Sequence, residues 1–200
     1  MSEPPARVLP LAGAPPIERA DAARNRERIL AAADRVIART GVDGLTMDEV
    51  AWEAGVGKGT LFRRFDSRAG LMAAILDRSE REWQESVLSG PPPLGPGADP
   101  LARLLALGHS RTRRNLKHLE LIRAAVGPQP GRNFAVTGFV VMHVRFLLGG
   151  LSVGGDLDVL ALQLVAALEP PLVAHMADDL RMPLERIDAG WDDLVRKVVG

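Results

Sequence analysis

The chain has 200 residues, 46% hydrophobic and 25% charged, with 25 basic and 25 acidic side chains, a formal net charge of zero and no cysteine. This is globular composition at a length for one large or two small domains, and the missing thiols exclude disulfide frameworks, thiolate metal sites and cysteine nucleophiles. Zero net charge speaks against a nucleic-acid binder, but its distribution speaks for one: Lys58, Arg63, Arg64 and Arg68 face only Asp66, whereas nine acids oppose four cations after residue 150.

Residues 1–23 hold five prolines and scattered charge, and read as a disordered leader without the apolar core of a signal peptide. Helical periodicity begins near Asn25, with Ile29, Leu30, Ala33, Val36 and Ile37 on one face, and ends at Thr40-Gly41. Thr46, with Glu49 three residues on, opens a second helix as a capping box, and Gly55 stops it. A third helix covers about 58–65 and a fourth runs from Ser67 to about Ser89. The stretch GPPPLGPGADP over 90–100 is a linker. Helices are expected over 101–115, 116–126, 133–149, 157–168, 172–180 and 184–199, with a turn over 127–132. The apolar run 134–151 contains His143 and Arg145, which makes it a buried helix and not a membrane span.

The segment 46–65, TMDEVAWEAGVGKGTLFRRF, is two short helices about a tight turn, with Gly55 free to take positive φ and Val50, Val56 and Leu61 sharing a core. That is a helix-turn-helix, whose second helix enters the major groove by its N-terminal end. Here that end is Gly57-Lys58-Gly59-Thr60: exposed amides and Lys58 favour phosphate, Thr60 can meet a base edge, and Gly59 permits close backbone approach. Trp52 is expected to pack against the first helix. Arg24, Arg26 and Arg28 are either a solvated helix start or a reach toward DNA, and Arg63 is equally open between solvent and duplex.

In Ala54-Gly55-Val56, Gly59-Thr60-Leu61, Phe65 and Ser67 the segment resembles the TetR family of transcriptional regulators, and the resemblance spans about 28–71. Gly57, Phe62, Arg64 and Arg68 stand where the family usually has Ser, Tyr, His and Lys. The resemblance implies an all-α chain of about nine helices: a three-helix DNA-binding domain over 24–66 and a regulatory and dimerisation bundle over 67–200. It implies Thr46, Arg64 and Arg68 on phosphates, with Lys58, Gly59, Thr60 and Phe62 near the groove floor and Arg63 beside them. The implied partners are double-stranded operator DNA, a small-molecule effector and a second copy of the chain, in the cytoplasm, with no membrane and no cofactor.

The C-terminal half carries no catalytic signature and no metal-binding spacing: its histidines, His109, His118, His143 and His175, fall in no zinc pattern. Phe139, His143 and Phe146 share a helix face with Met142 beside them, and Trp83 and Leu107 can line the same space. Plain core packing is one reading; a mostly apolar effector pocket is the other. Arg111, Arg113, Arg114, Lys117 and Arg123 form a basic cluster, read as a solvated face or as a lure for anions. Residues 157–168 are apolar nearly all round, which asks for burial on two sides. Leu160, Leu164 and Leu168, with Trp191, Leu194, Val195 and Val198 of the last helix, are the candidate dimer interface. Two rivals remain: a regulator answering to a protein partner, and a helical carrier or enzyme whose N-terminal domain is incidental.

Overall fold

A computed structural model describes residues 17–125 and 134–200, with side chains over 21–125 and 137–200. Residues 1–16 of the leader expected over 1–23, and the turn expected over 127–132, lie outside the described residues. The described chain is all helical: α1 (Ile17–Thr40), α2 (Met47–Ala54), α3 (Lys58–Phe65), α4 (Arg68–Ser89), α5 (Pro100–Lys117), α6 (Leu119–Ala125), α7 (Phe134–Gly149), α8 (Leu157–Ala166), α9 (Pro170–Ala174), which continues into a π-helical turn (His175–Asp179), and α10 (Leu184–Val199). Helix α1 starts at Ile17, inside the span expected to be disordered. The chain forms two units divided between Leu71 and Met72, within α4 and not at the proline–glycine linker.

In the first unit Ile29, Leu30, Ala33 and Val36 of α1 are wholly buried, and α1 packs on α2, which packs on α3. Ile29, Leu30 and Val36 each contribute about 1.5–3 kcal/mol on leaving water. Arg35 and Arg39 of α1 reach Glu53 of α2 at 2.7 and 3.2 Å. Their hydrogen bonds hold the Glu53 carboxyl below its ordinary value.

The core of the second unit joins Trp83 and Val87 of α4, Leu104 and Leu107 of α5, Val140, Val144, Leu147 and Leu148 of α7, Leu164, Val165 and Leu168 around α8, and Trp191 and Val195 of α10. Asp99 caps α5 and Asp156 caps α8, each through its carboxylate. Helix α7, expected to be buried, is buried on one face only: Met142 is 63% and Phe146 65% exposed, and Arg145 is exposed with them. The stretch Leu157–Asp179 is long and apolar enough to cross a membrane by length and composition alone. Its Ala161, Leu164, Val165, Leu168 and Val173 are instead buried within this unit.

Candidate nucleic-acid interface

The turn between α2 and α3 is set by one glycine. Gly55 adopts φ 63°, ψ 39°, its N–H reaches the Trp52 carbonyl at 3.1 Å, and the Val56 N–H reaches the Ala51 carbonyl at 3.0 Å. These bonds satisfy the last carbonyls of α2 and turn the chain at once into α3. At the other end of α2 the Thr46 hydroxyl accepts the Glu49 N–H at 3.2 Å. Thr46 is thus occupied as a helix cap, with its side chain exposed.

Helix α3 begins at Gly57 with no side-chain cap. Its first turn therefore presents backbone N–H groups and the positive end of the helix dipole to anything that approaches. A Cβ built on Gly57 or Gly59 would meet nothing within 4 Å. Neither glycine is required by internal packing, and what they leave is bare backbone at the helix tip. Leu61 and Phe65 anchor α3 in the core. On the opposite side Lys58, Gly59, Phe62 and Arg63 are exposed, and steps of one, four and five residues place them on one face. Phe62 is 46% exposed, and Thr60 is half-buried at the edge of this face.

Two of the expected phosphate contacts are otherwise engaged. Arg64 is half-buried and donates to the Ala22 carbonyl of α1 at 2.5 Å. Arg68 donates from Nε to the Leu45 carbonyl and from Nη2 to the Val42 carbonyl, both at 2.7 Å. Of the α1 arginines, Arg26 lies over the Phe65 ring at 5.4 Å and Arg24 pairs with Asp21. Lys58 pairs with Asp48 of α2 at 2.5 Å, both side chains exposed.

Trp52 does not pack against α1; it is 80% exposed. The buried residues of α2 are Met47, Val50, Ala51 and Ala54. Their spacing turns Asp48 and Trp52, one helical step of four apart, to the other side. That pattern is present in the sequence, and it marks both residues as part of the outward surface beside α3.

The second unit holds a cavity of about 700 Å³, mostly apolar, that is not lined by the residues expected to line it. Leu76, Arg111, Arg114, Asn115, Ile122 and Val165 are among its walls. Trp83, Leu107, Phe139, Met142, His143 and Phe146 are not. Trp83 and Leu107 are core, and the Trp83 indole donates to Ser110 Oγ at 3.1 Å. His143 is buried, stacked on Phe139 at 5.9 Å, and receives Arg103 at 3.2 Å on Nε2. Phe146 lines a smaller hollow of about 440 Å³ with Arg103 and Arg145.

The expected dimer residues also divide. Leu164, Leu168, Trp191 and Val195 are buried within their own subunit's core, and the Trp191 indole donates to the Leu104 carbonyl at 3.3 Å. They have no surface to offer a partner. Leu160 and Val198 are half-buried and Leu194 is exposed. Val159 and Leu162, also on α8, are exposed, Leu162 at 55%. The apolar ring of α8 is therefore split between one face turned to the core and one turned out. Among the described residues no group of three or more His, Asp or Glu is placed to hold a metal ion.

Comparison with known proteins agrees with this geometry. Residues 29–75 match the model of the bacterial regulatory proteins, tetR family. An HTH-type transcriptional regulator of Staphylococcus aureus (strain USA300) is 37% identical over 60 residues, 30% of this chain and 32% of that protein. An uncharacterized HTH-type transcriptional regulator of Lactococcus lactis subsp. lactis is 32% identical over 65 residues, 32% of this chain and 33% of that protein. The matches span about a third of the length of these curated relatives. In overall fold the chain is similar to the crystal structure of a TetR-family transcriptional regulator from Pectobacterium atrosepticum, with TM-score 0.73, 20% identity and coverage of 90% of this chain and 96% of that one. It is similar also to a TetR-family regulator from Rhodococcus sp., with TM-score 0.66, 22% identity and coverage of 89% and 100%.

Proposed function

From an N-terminal helix-turn-helix domain of the tetR family, we propose that the chain is a cytoplasmic repressor that binds a palindromic operator as a homodimer and leaves it when a small molecule occupies the second unit. One observation carries the DNA-binding part. Helix α3 turns its uncapped first turn, Lys58, Gly59, Phe62 and Arg63 outward, while Leu61 and Phe65 hold it in the core. An exposed helix tip with free amides, close-approach glycines and cations is built to enter a major groove and grip phosphates. Among the described residues Arg63 is the cation on this face with no ion-pair partner to give up, and it ranks above Arg64 and Arg68, whose guanidiniums already serve backbone carbonyls.

The homodimer part is supported by what α8 and α10 leave outside. Val159, Leu162 and Leu194 are exposed apolar residues, and a two-fold partner would cover them with its own copy. A palindromic operator with half-sites about one helical turn apart is the matching target. The cavity of about 700 Å³ is of the size that takes a small organic ligand. A ligand acts through differential affinity for operator-competent and incompetent states, and α4, which belongs to both units, is the lever.

The test is binding of the purified protein to the duplex upstream of its own gene across a salt series. Tight binding that weakens steeply with salt is expected. Arg63→Ala reduces both the affinity and the log–log salt slope, the latter by about 0.9 for each phosphate that is no longer neutralised. Absence of binding at low salt to this duplex and to selected random duplexes would refute the reading. The cavity would then be the place to seek a carrier function.

A further inference from the structure

The wall of the larger cavity carries an unbalanced buried charge. Glu80 of α4 accepts Arg111 at 2.7 Å and Arg114 at 3.0 Å on the same oxygen, and its other oxygen accepts Gln84 at 3.1 Å. All three ionic side chains line the cavity and are at most one-tenth exposed. One carboxylate against two guanidiniums leaves one positive charge in excess, away from water. Burial pulls the Arg114 guanidinium below its ordinary value; Glu80 opposes that pull and Arg111 adds to it. Arginine stays charged even so; Arg114 also donates to the Leu76 carbonyl at 3.2 Å, which leaves other N–H groups of its fork for a ligand, and Arg111 is further held over the Trp83 ring at 4.8 Å.

Beside these two arginines, one helical step of four from Arg111 and so on the same side of α5, is Asn115. Its Nδ2 donates to the Leu168 carbonyl at 2.8 Å, which fixes the amide orientation and leaves Oδ1 as the other polar atom. That oxygen is buried without a hydrogen-bond partner, on a side chain 1% exposed that lines the cavity. A buried acceptor with no donor is destabilising, and a ligand donor would relieve it. The remaining wall is Leu76, Leu119, Ile122, Val140, Val165 and Leu168. At the rim Asp77, Arg123, His175 and Asp179 are exposed and Glu169 half-exposed. Arg123 pairs with Asp178 and His175 with Asp179. Those outer charges are screened by water and salt; the inner one is screened much less.

We infer that this cavity takes a monoanionic, largely apolar molecule bearing a hydrogen-bond donor, with the anionic group against Arg111 and Arg114 and the donor on Asn115 Oδ1. The inference rests on the proposed reading of the cavity as an effector site. It is measured without DNA, so its failure is separate from a failure to bind the duplex. Two fluorescent probes isolate the charge: 8-anilinonaphthalene-1-sulfonate, a monoanion with an aniline N–H and apolar rings, and N-phenyl-1-naphthylamine, with the same rings and N–H and no charge. The full chain binds one anionic probe per subunit, about tenfold or more tighter than the neutral one. Arg114→Met abolishes that preference and leaves the neutral probe bound, whereas Asn115→Leu weakens both. Equal or tighter binding of the neutral probe by the unaltered protein overturns the inference, as does an anionic-probe affinity that a folded Arg114→Met variant retains. The probe comparison on the unaltered chain needs no variant, so it decides even if Arg114→Met fails to fold.

Discussion

Arg68 Nε donates to the Leu45 carbonyl at 2.7 Å, and its Nη2 reaches Val42 at the same distance. One guanidinium at the start of α4 thus fastens the loop that delivers the chain into α2. Arg68→Ala removes two charge-assisted hydrogen bonds and lowers stability by about 2 kcal/mol. The lysine variant, with one compact charge in place of a fork, restores only part of it. Thermal or urea unfolding checks this. An unchanged midpoint with weakened DNA binding would return Arg68 to the phosphates.

Gly108 on α5 leaves no room for a side chain: a Cβ there would lie 2.1 Å from Trp191 Cε2. Gly108→Ala therefore costs about 1–3 kcal/mol by overpacking, although alanine is the better helix former. Trp191→Ala empties the same space and costs about 3–5 kcal/mol. Denaturant midpoints read both, and a Gly108→Ala variant as stable as the parent would contradict the packing described.

Exposed and buried residues of α8 should separate assembly from folding. Leu162→Glu, on the outward face, is expected to leave the melting temperature of the subunit near its parent value and to shift the molar mass in solution from dimer to monomer. Leu164→Ala, in the core, is expected to cost about 2–5 kcal/mol. Light scattering coupled to gel filtration reads the first and thermal melting the second. A Leu162→Glu protein that remains dimeric would move the interface elsewhere.

His143 is a pH-dependent element. Arginine only donates, so the 3.2 Å approach of Arg103 requires an unprotonated Nε2. Burial first, and the Arg103 charge second, push the His143 pKa below its ordinary 6.5. Below pH 6.5 the unfolded chain then binds a proton that the folded chain refuses, so stability falls as the pH drops through 6.5 and levels off below the folded value. His143→Gln is expected to flatten that part of the melting-temperature profile. A variant whose profile keeps the full slope would remove His143 as its source.

Much of the fold was legible because helix ends are written in local chemistry. Thr46 caps and Gly55 turns, both where the pattern placed them, and the glycines and prolines after Ser89 keep that stretch out of helix. The side of each helix was harder to read. In α2 the buried spacing already turns Trp52 outward, but an indole invites a partner and hides the pattern. The arginines were the least legible, because a guanidinium satisfies a phosphate or a carbonyl equally well. Arg64 meets a carbonyl 42 residues earlier in the chain, and no local pattern contains that distance. The lining of the expected pocket was missed for a related reason. Its polar wall is Glu80 with Arg111 and Arg114, thirty and more residues apart, and on a linear view such charges look like a solvated face.

On the proposed reading of α3 as the helix that enters DNA, the pair between Lys58 and Asp48 would change what its tip can gain there. Its ammonium is already answered, so a phosphate must displace a carboxylate and not merely water. The same carboxylate then stands close to the polyanion and pushes back. Random duplex, which offers charge alone, would then receive a discounted grip, while a site that also satisfies the amides and the groove face would keep its hold. If the proposed DNA binding holds, a single acid on α2 would shorten idle residence on wrong sequence and hasten the search for the right one.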